Sequence, residues 1–213
     1  MDEAGIRRQL VAYAQLAYRR RLVRGSGGNF SARLDAKRMI ITPTGVSLGD
    51  TTLENLIEVD IESYGYAERG LHRPSKEYRY HADVFRLRPD VGAVLHAHPP
   101  HATAFAVRKR DIPMVTDAAF KQRPIPRVPF APSGSDALQQ HVARAIQEHP
   151  HCAALLLEEH GVVALGATIV TAFNLADLLE ELAHIAWLAE RLAEDGAAAR
   201  HRGDSRTLRE PAG

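Results

Sequence analysis

Val91-Gly92-Ala93-Val94-Leu95-His96-Ala97-His98 decides how this chain is read. The stretch follows a helix that Pro89 stops, and it reads as a buried strand, with Val94 and Leu95 marking an interior position. Two histidines close it. In an extended chain residues i and i+2 project to the same face, so His96 and His98 can converge on one ion. Taken alone, a His-x-His pair is a common surface spacing. Burial sets this pair apart, because an interior imidazole needs a partner to be there.

Working outward, the upstream helix opens at Pro74-Ser75-Lys76-Glu77, with Ser75 as its N-cap, and sets Tyr78, His81, Val84 and Phe85 on one face. Before it come strands at 29–34, 39–41 and 57–60, a short helix at 52–56 and a further strand at 64–67. The N-terminal segment 3–23 carries Ile6, Leu10, Ala14, Ala17 and Tyr18 at helical spacing, and Gly25-Ser26-Gly27-Gly28 breaks it. Downstream lie a helix at 102–107, short strands at Val115 and 125–130, and a helix that Ser135 or Asp136 caps and Pro150 ends. Strands at 153–157 and 162–165 follow, joined at Glu158-Glu159-His160-Gly161. A long amphipathic helix from Thr168 to about Glu194 comes last. Strands and helices alternate while several consecutive strands read as antiparallel, which predicts one α/β sandwich domain over 1–195. The segment 196–213 is Ala-, Arg- and Gly-rich without apolar periodicity and reads as a mobile tail.

Composition sets outer limits. At 213 residues, with 45% hydrophobic and 25% charged, the chain is sized for one full core. A formal net charge of +1 gives no reason to expect nucleic acid or an anionic membrane surface. No apolar run is long enough for a membrane span, and the N-terminus lacks the order of a signal peptide. Cys152, the single cysteine, heads an apolar run and reads as a buried structural thiol, which fits a reducing cytoplasm.

Three more segments are candidates for chemistry. Leu155-Leu156-Leu157 runs directly into Glu158-Glu159-His160-Gly161, repeating the pattern of a strand that ends in histidine. A turn histidine beside a solvated glutamate pair is the plainer account. Glycine after His160 allows a tight turn or a close approach of substrate. Glu77, in a first helical turn, suits the helix dipole, but pointed at the histidines it can ligate metal or move a proton. Gly25 to Ser31 and Thr42-Pro43-Thr44-Gly45 are either ordinary turns or cradles for a phosphate or carboxylate. Neither matches a nucleotide-binding fingerprint.

Taken in order, Gly28-Asn29-Phe30-Ser31, Ile41-Thr42-Pro43-Thr44-Gly45, Pro74-Ser75-Lys76-Glu77, His96-Ala97-His98 and Glu159-His160-Gly161 resemble the class II aldolase/adducin family, typified by fuculose-phosphate aldolase. The resemblance implies an α/β/α sandwich around a mainly antiparallel sheet, in a homotetramer with active sites at subunit interfaces. It implies His96, His98 and His160 as ligands of a divalent metal, zinc by preference. Glu77 becomes the acid/base and a fourth ligand in the empty site, and Gly28, Asn29, Thr44, Gly45, Ser75 and Lys76 surround the phosphate of a sugar substrate. In that chemistry a ketose phosphate chelates zinc, which stabilises the enediolate left when a carbon–carbon bond breaks.

Two departures stand out. Fuculose-type members carry a second serine where this chain has Lys76, and the Lys form resembles the 3-oxo-tetronate-4-phosphate decarboxylase branch. Lys76 either binds an anion as a point charge or faces solvent. Aldolases of this kind also use tyrosines from the middle and end of the chain, whereas here none follows Tyr80 and Asp117 lies near the mid-chain position. The expected activity is therefore a zinc-dependent aldolase. The alternatives are a decarboxylase of a 3-oxo-4-phospho sugar acid, a pentulose-phosphate 4-epimerase and a non-enzymatic adducin-like module.

Overall fold

The computed structural model describes residues 1–67, 70–121 and 124–204, with backbone alone from 194 onward. Seven strands form one sheet: β1 (Asn29–Arg33), β2 (Arg38–Ile41), β3 (Ile57–Asp60), β4 (Ala93–Ala97), β5 (Arg127–Val128), β6 (Ala154–Leu157) and β7 (Gly161–Gly166). Their order across the sheet is β3-β2-β1-β4-β7-β6-β5, and every pairing is antiparallel except β5 with β6. The strand with the paired histidines is therefore central, as its apolar sequence implies.

Six helices cover the sheet: α1 (Glu3–Arg19), α2 (Tyr78–Leu87), α3 (Pro100–Val107), α4 (Asp117–Phe120), α5 (Asp136–Glu148) and α6 (Ile169–Asp204). Alternation along the strands separates two cores. Leu95 and Ala97 of β4 join Leu10, Phe105 and Leu179 from α1, α3 and α6 on one face. Val94 joins Phe85 and Val142 from α2 and α5 on the other. The expected α/β/α sandwich with a mainly antiparallel sheet is what these layers make.

Local chemistry explains where elements depart from the sequence reading. Helix α1 stops at Arg19 instead of running to Val23: Arg21 takes φ 64°, and Leu22 and Val23 turn into the core. No helix forms at 52–56, because the Asn55 side chain accepts from Thr52 N at 3.0 Å and donates to Asp50 O at 3.0 Å, locking a turn. A one-turn 3-10 helix lies just before it, at Leu48–Asp50. The strand expected at 64–67 reduces to one bridge between Val59 and Tyr66, since Tyr64 sits at φ 58° and sends its hydroxyl to Asp83. Val115 joins no strand, its N–H bonding back to Pro113 O. Of 125–130 only Arg127 and Val128 pair, between prolines that lack a donor. Ser135 caps α5 as expected, accepting from Leu138 N at 3.2 Å, a bond worth about 1 kcal/mol.

Helix α6 continues past the expected end at Glu194 to Asp204. The proposed tail lies outside the described residues from 205 on. The first turn of α3 has no side-chain cap of its own. Glu180 of α6 supplies one from outside, accepting from His101 N at 3.0 Å and Ala102 N at 3.0 Å. Among the described residues no helix is long and apolar enough to cross a membrane.

Candidate metal centre

His96 is the penultimate residue of β4, and His98 lies just beyond the strand, its N–H bonded to Leu22 O at 3.0 Å. The turn between β6 and β7 brings in His160, whose N–H bonds to Leu157 O at 3.2 Å. Three imidazole edges meet there: His96 Nε2 is 2.8 Å from His98 Nε2 and 3.2 Å from His160 Nε2. The Nδ1 of His96 lies 2.9 Å from Val162 O. A carbonyl only accepts, so Nδ1 carries the hydrogen and the Nε2 lone pair faces the other two rings.

This donor set fits a divalent metal. The three ligand atoms lie within 4.8 Å of one another. Ligands held about 2.0–2.1 Å from one tetrahedral ion would sit roughly 3.3 Å apart. Burial pushes His98 down to about 3 and His160 down to about 4, with repulsion from the neighbouring rings adding to it. Both rings are thus neutral at pH 7 and need lose no proton to bind metal. With the His98 and His160 lone pairs turned inward as well, three Nε2 donors face one point, an arrangement that suits a cation.

Glu77 completes the cluster. The sequence reading of Ser75 as helix cap is replaced: α2 begins at Tyr78, Glu77 occupies the cap position without a side-chain cap bond, and Ser75 Oγ accepts from Glu77 N at 3.4 Å. Freed from capping, the Glu77 side chain turns inward and the residue is 4% exposed. Its Oε2 lies 3.4 Å from His96 Nε2 and its Oε1 3.5 Å from His160 Nε2. Asn29 Nδ2 donates to Oε2 at 2.8 Å, Tyr80 Oη donates to Oε2 at 3.2 Å, and Ser133 Oγ donates to Oε1 at 2.9 Å. Burial alone would raise this carboxyl; its electrostatic interaction with the His96 and His160 rings, with the Asn29 and Ser133 hydrogen bonds, outweighs burial and holds the group at about 2.

The cluster floors a cavity of about 240 Å³ lined by residues 26–29, 43–45 and 75–77, with His96, His98, Ser133 and His160. Gly28, Asn29, Thr44, Gly45, Ser75 and Lys76 all reach it. Two backbone bonds draw the loops together, Thr44 N to Arg73 O at 3.0 Å and Ser75 N to Thr42 O at 3.1 Å. Asn29, expected beside a phosphate, lines the cavity and also directs its side-chain amide at Glu77. Lys76 is exposed on the rim. Asp117 is outside this lining, paired with Lys121 on the surface. Of the neighbouring glutamates only Glu159 is exposed, paired with Lys109; Glu158 is largely covered and bound to Arg127. Gly161 serves a close approach, but to the neighbouring strand: a Cβ there would lie 2.4 Å from Ala97 O and 2.8 Å from His98 Cδ2.

Sequence reasoning missed two groups, Tyr80 and Ser133. Tyr80 sits on the helical face that includes Glu77, and that spacing could have flagged it. Ser133 lies in Pro132-Ser133-Gly134-Ser135, which carries no signal beyond that of a turn.

Comparison with known proteins agrees with this geometry. The model of the class II aldolase and adducin N-terminal domain matches residues 8–187. The chain belongs to the class II aldolase and adducin family. An L-fuculose phosphate aldolase of Methanococcus maripaludis is 32% identical over 185 residues, covering 86% of this chain and 97% of that protein. The 5-methylthioribulose-1-phosphate/5-deoxyribulose-1-phosphate aldolase of Rhodospirillum rubrum is 36% identical over 177 residues, covering 81% and 76%. Among solved structures, the L-fuculose-1-phosphate aldolase of Thermus thermophilus superposes with a TM-score of 0.78 at 27% identity, covering 91% of this chain and 97% of that one. YgbL of Klebsiella pneumoniae, described as a candidate aldolase/epimerase/decarboxylase, gives 0.79 at 29% identity, covering 87% and 89%. As a class II aldolase family member with named aldolases among its relatives, the chain is an enzyme of the lyase class. Class II aldolases depend on a metal, and His96, His98 and His160 form the group able to hold one.

Proposed function

We propose that this chain is a zinc-dependent carbon–carbon lyase that cleaves a ketose phosphate, with His96, His98 and His160 as the metal ligands. The observation that carries the reading is Glu77, an ionised carboxylate buried against three converging imidazoles at the floor of an open polar cavity. An all-histidine donor set suits zinc and leaves coordination free for a substrate. Bound there, the ion acts as a Lewis acid that polarises a substrate carbonyl and offsets the negative charge left when the adjacent carbon–carbon bond breaks.

The chain's own residues do the rest. Gly28, Thr44, Gly45, Ser75 and Lys76 form a cradle of backbone, hydroxyl and ammonium groups for the phosphate. Asn29 and Tyr80 hold Glu77 by Oε2. Ionised at rest, Glu77 takes the proton that the substrate hydroxyl loses as the aldehyde forms and delivers it to the carbon freed by cleavage, and the reverse direction runs the same transfer backward. His96 keeps its Nε2 lone pair toward the site through the bond to Val162 O.

Lys76 favours a second reading, a decarboxylase of a 3-oxo-4-phospho sugar acid at the same site, because a rim cation suits a substrate carboxylate as well as a phosphate. A substrate panel separates the two: ketose 1-phosphates against 3-oxo-4-phospho acids, with aldehyde and carbon dioxide read independently. Aldehyde from the former supports the lyase reading, and carbon dioxide alone overturns it. We further place the protein in the cytoplasm, which the lone buried Cys152 suits, and assemble it as a homotetramer with active sites at interfaces. Ile185, Trp187, Leu188 and Leu192, exposed on α6, support a covered surface there.

A further inference from the structure

We infer that Ser133 decides whether the Glu77 carboxylate stays hydrogen-bonded or ligates the metal. It is a positioning residue for Glu77, and the inference rests on the metal reading of the three histidines.

The two oxygens of Glu77 are held differently. Oε2 has two donors, Asn29 and Tyr80, which are 4% and 2% exposed and belong to β1 and α2. Neither can move without opening the core. Oε1 has one donor, Ser133 at 2.9 Å. Ser133 is exposed, lines the cavity and belongs to the loop between β5 and α5. Of the three restraints it is the one that can be released.

That loop is nonetheless aimed. Gly134 takes φ +74°, and a Cβ there would come within 2.9 Å of Lys76 Cβ and 3.1 Å of Lys76 O. The loop therefore rests on the backbone just before Glu77, in a conformation that glycine permits. The contact directs the neighbouring Ser133 hydroxyl at Oε1. The same oxygen is 3.5 Å from His160 Nε2, at the edge of the triad. Oε2, 3.4 Å from His96 Nε2, also faces the triad but is fixed by its two donors, so an ion there would draw the carboxylate by Oε1, and the Ser133 hydroxyl opposes that draw. Holding Oε1 keeps a coordination position open for substrate and keeps the carboxylate free to carry a proton.

The test is zinc affinity of the metal-free protein, measured by competition with a chromophoric chelator. A hydrogen bond to a charged group is worth enough that losing it should tighten zinc binding about tenfold in Ser133→Ala. Ser133→Thr, which restores the hydroxyl, should return the affinity to within about twofold of wild type. In the same pair of variants kcat for aldehyde release should fall about tenfold in the alanine form, with KM nearly unchanged. Unchanged or weaker zinc binding in Ser133→Ala overturns the inference, as does a threonine variant as tight as the alanine one. If the wild type binds zinc but cleaves no ketose phosphate, the proposed lyase activity fails alone, and the affinities still decide the role of Ser133. If the wild type takes up no zinc, both fail.

Discussion

Replacing Gly161 with alanine tests whether the contact between β4 and β7 sets the position of the metal ligands. The added methyl would sit 2.4 Å from Ala97 O and 2.8 Å from His98 Cδ2, and the nearer of these atoms is backbone. Relief requires the two strands to part at the pairing of Ala97 with Val162. Overpacking of a buried site costs about 1–3 kcal/mol. In a domain of this size that lowers Tm by roughly 2–4 °C per kcal/mol, so a drop of about 2–12 °C is expected. The strain falls on the ring of His98, so zinc affinity should weaken at least tenfold, while far-ultraviolet circular dichroism stays native. Thermal melts in chelator report the first effect, and zinc competition reports the second. Gly65→Ala is the control, because its only close neighbour is Ser63 Oγ at 3.2 Å. If Gly161→Ala melts with wild-type Tm and binds zinc as wild type does, the close approach is not what aligns the ligands.

His96→Ala should abolish stoichiometric zinc binding and activity, which metal analysis and turnover assays check. Glu77→Gln should keep the fold and the zinc while proton exchange with deuterated solvent falls at least a hundredfold, and exchange at the wild-type rate would remove Glu77 from the chemistry. Lys76→Met should raise KM for a phosphorylated substrate about tenfold with little change in kcat, as steady-state kinetics will show. Acidification should destabilise the metal-free protein. His81, His98 and His160 are depressed from an ordinary value of 6.5 to about 3, 3 and 4. Between those values and 6.5 the unfolded chain binds more protons, so stability falls as pH drops from 6.5 toward 4. Melts in chelator at pH 7.5 and 5 should differ by several degrees, and equal Tm values would refute the burial argument.

His96 and His98 were legible as a pair because alternation in an apolar run puts them on one face, whereas His160 alone read as a turn histidine, and only the ordered family motifs joined it to them. Glu77 was legible as a candidate only. From sequence, a first-turn carboxylate facing solvent and one turned inward look alike, and the choice depends on Asn29 and Ser133, distant in the chain. The motif order suggested a phosphate contact for Asn29, and its bond to Glu77 depends on a register between β1 and β4 that sequence does not reveal. The short helix expected at 52–56 and the strand expected at 64–67 failed for a related reason. Asn55 and Tyr64 override local propensity through side-chain bonds that only the folded neighbourhood supplies.

Glu180 gives the C-terminal helix a reach beyond packing. Its carboxylate closes the first turn of α3, the helix that begins just after His98. A chain shortened before that residue, or nicked there by a protease, would leave bare N–H groups next to the metal-binding strand. Damage to α6 should therefore register first as a loosened ion and only later as lost secondary structure. Tags and fusion partners belong well beyond Glu180.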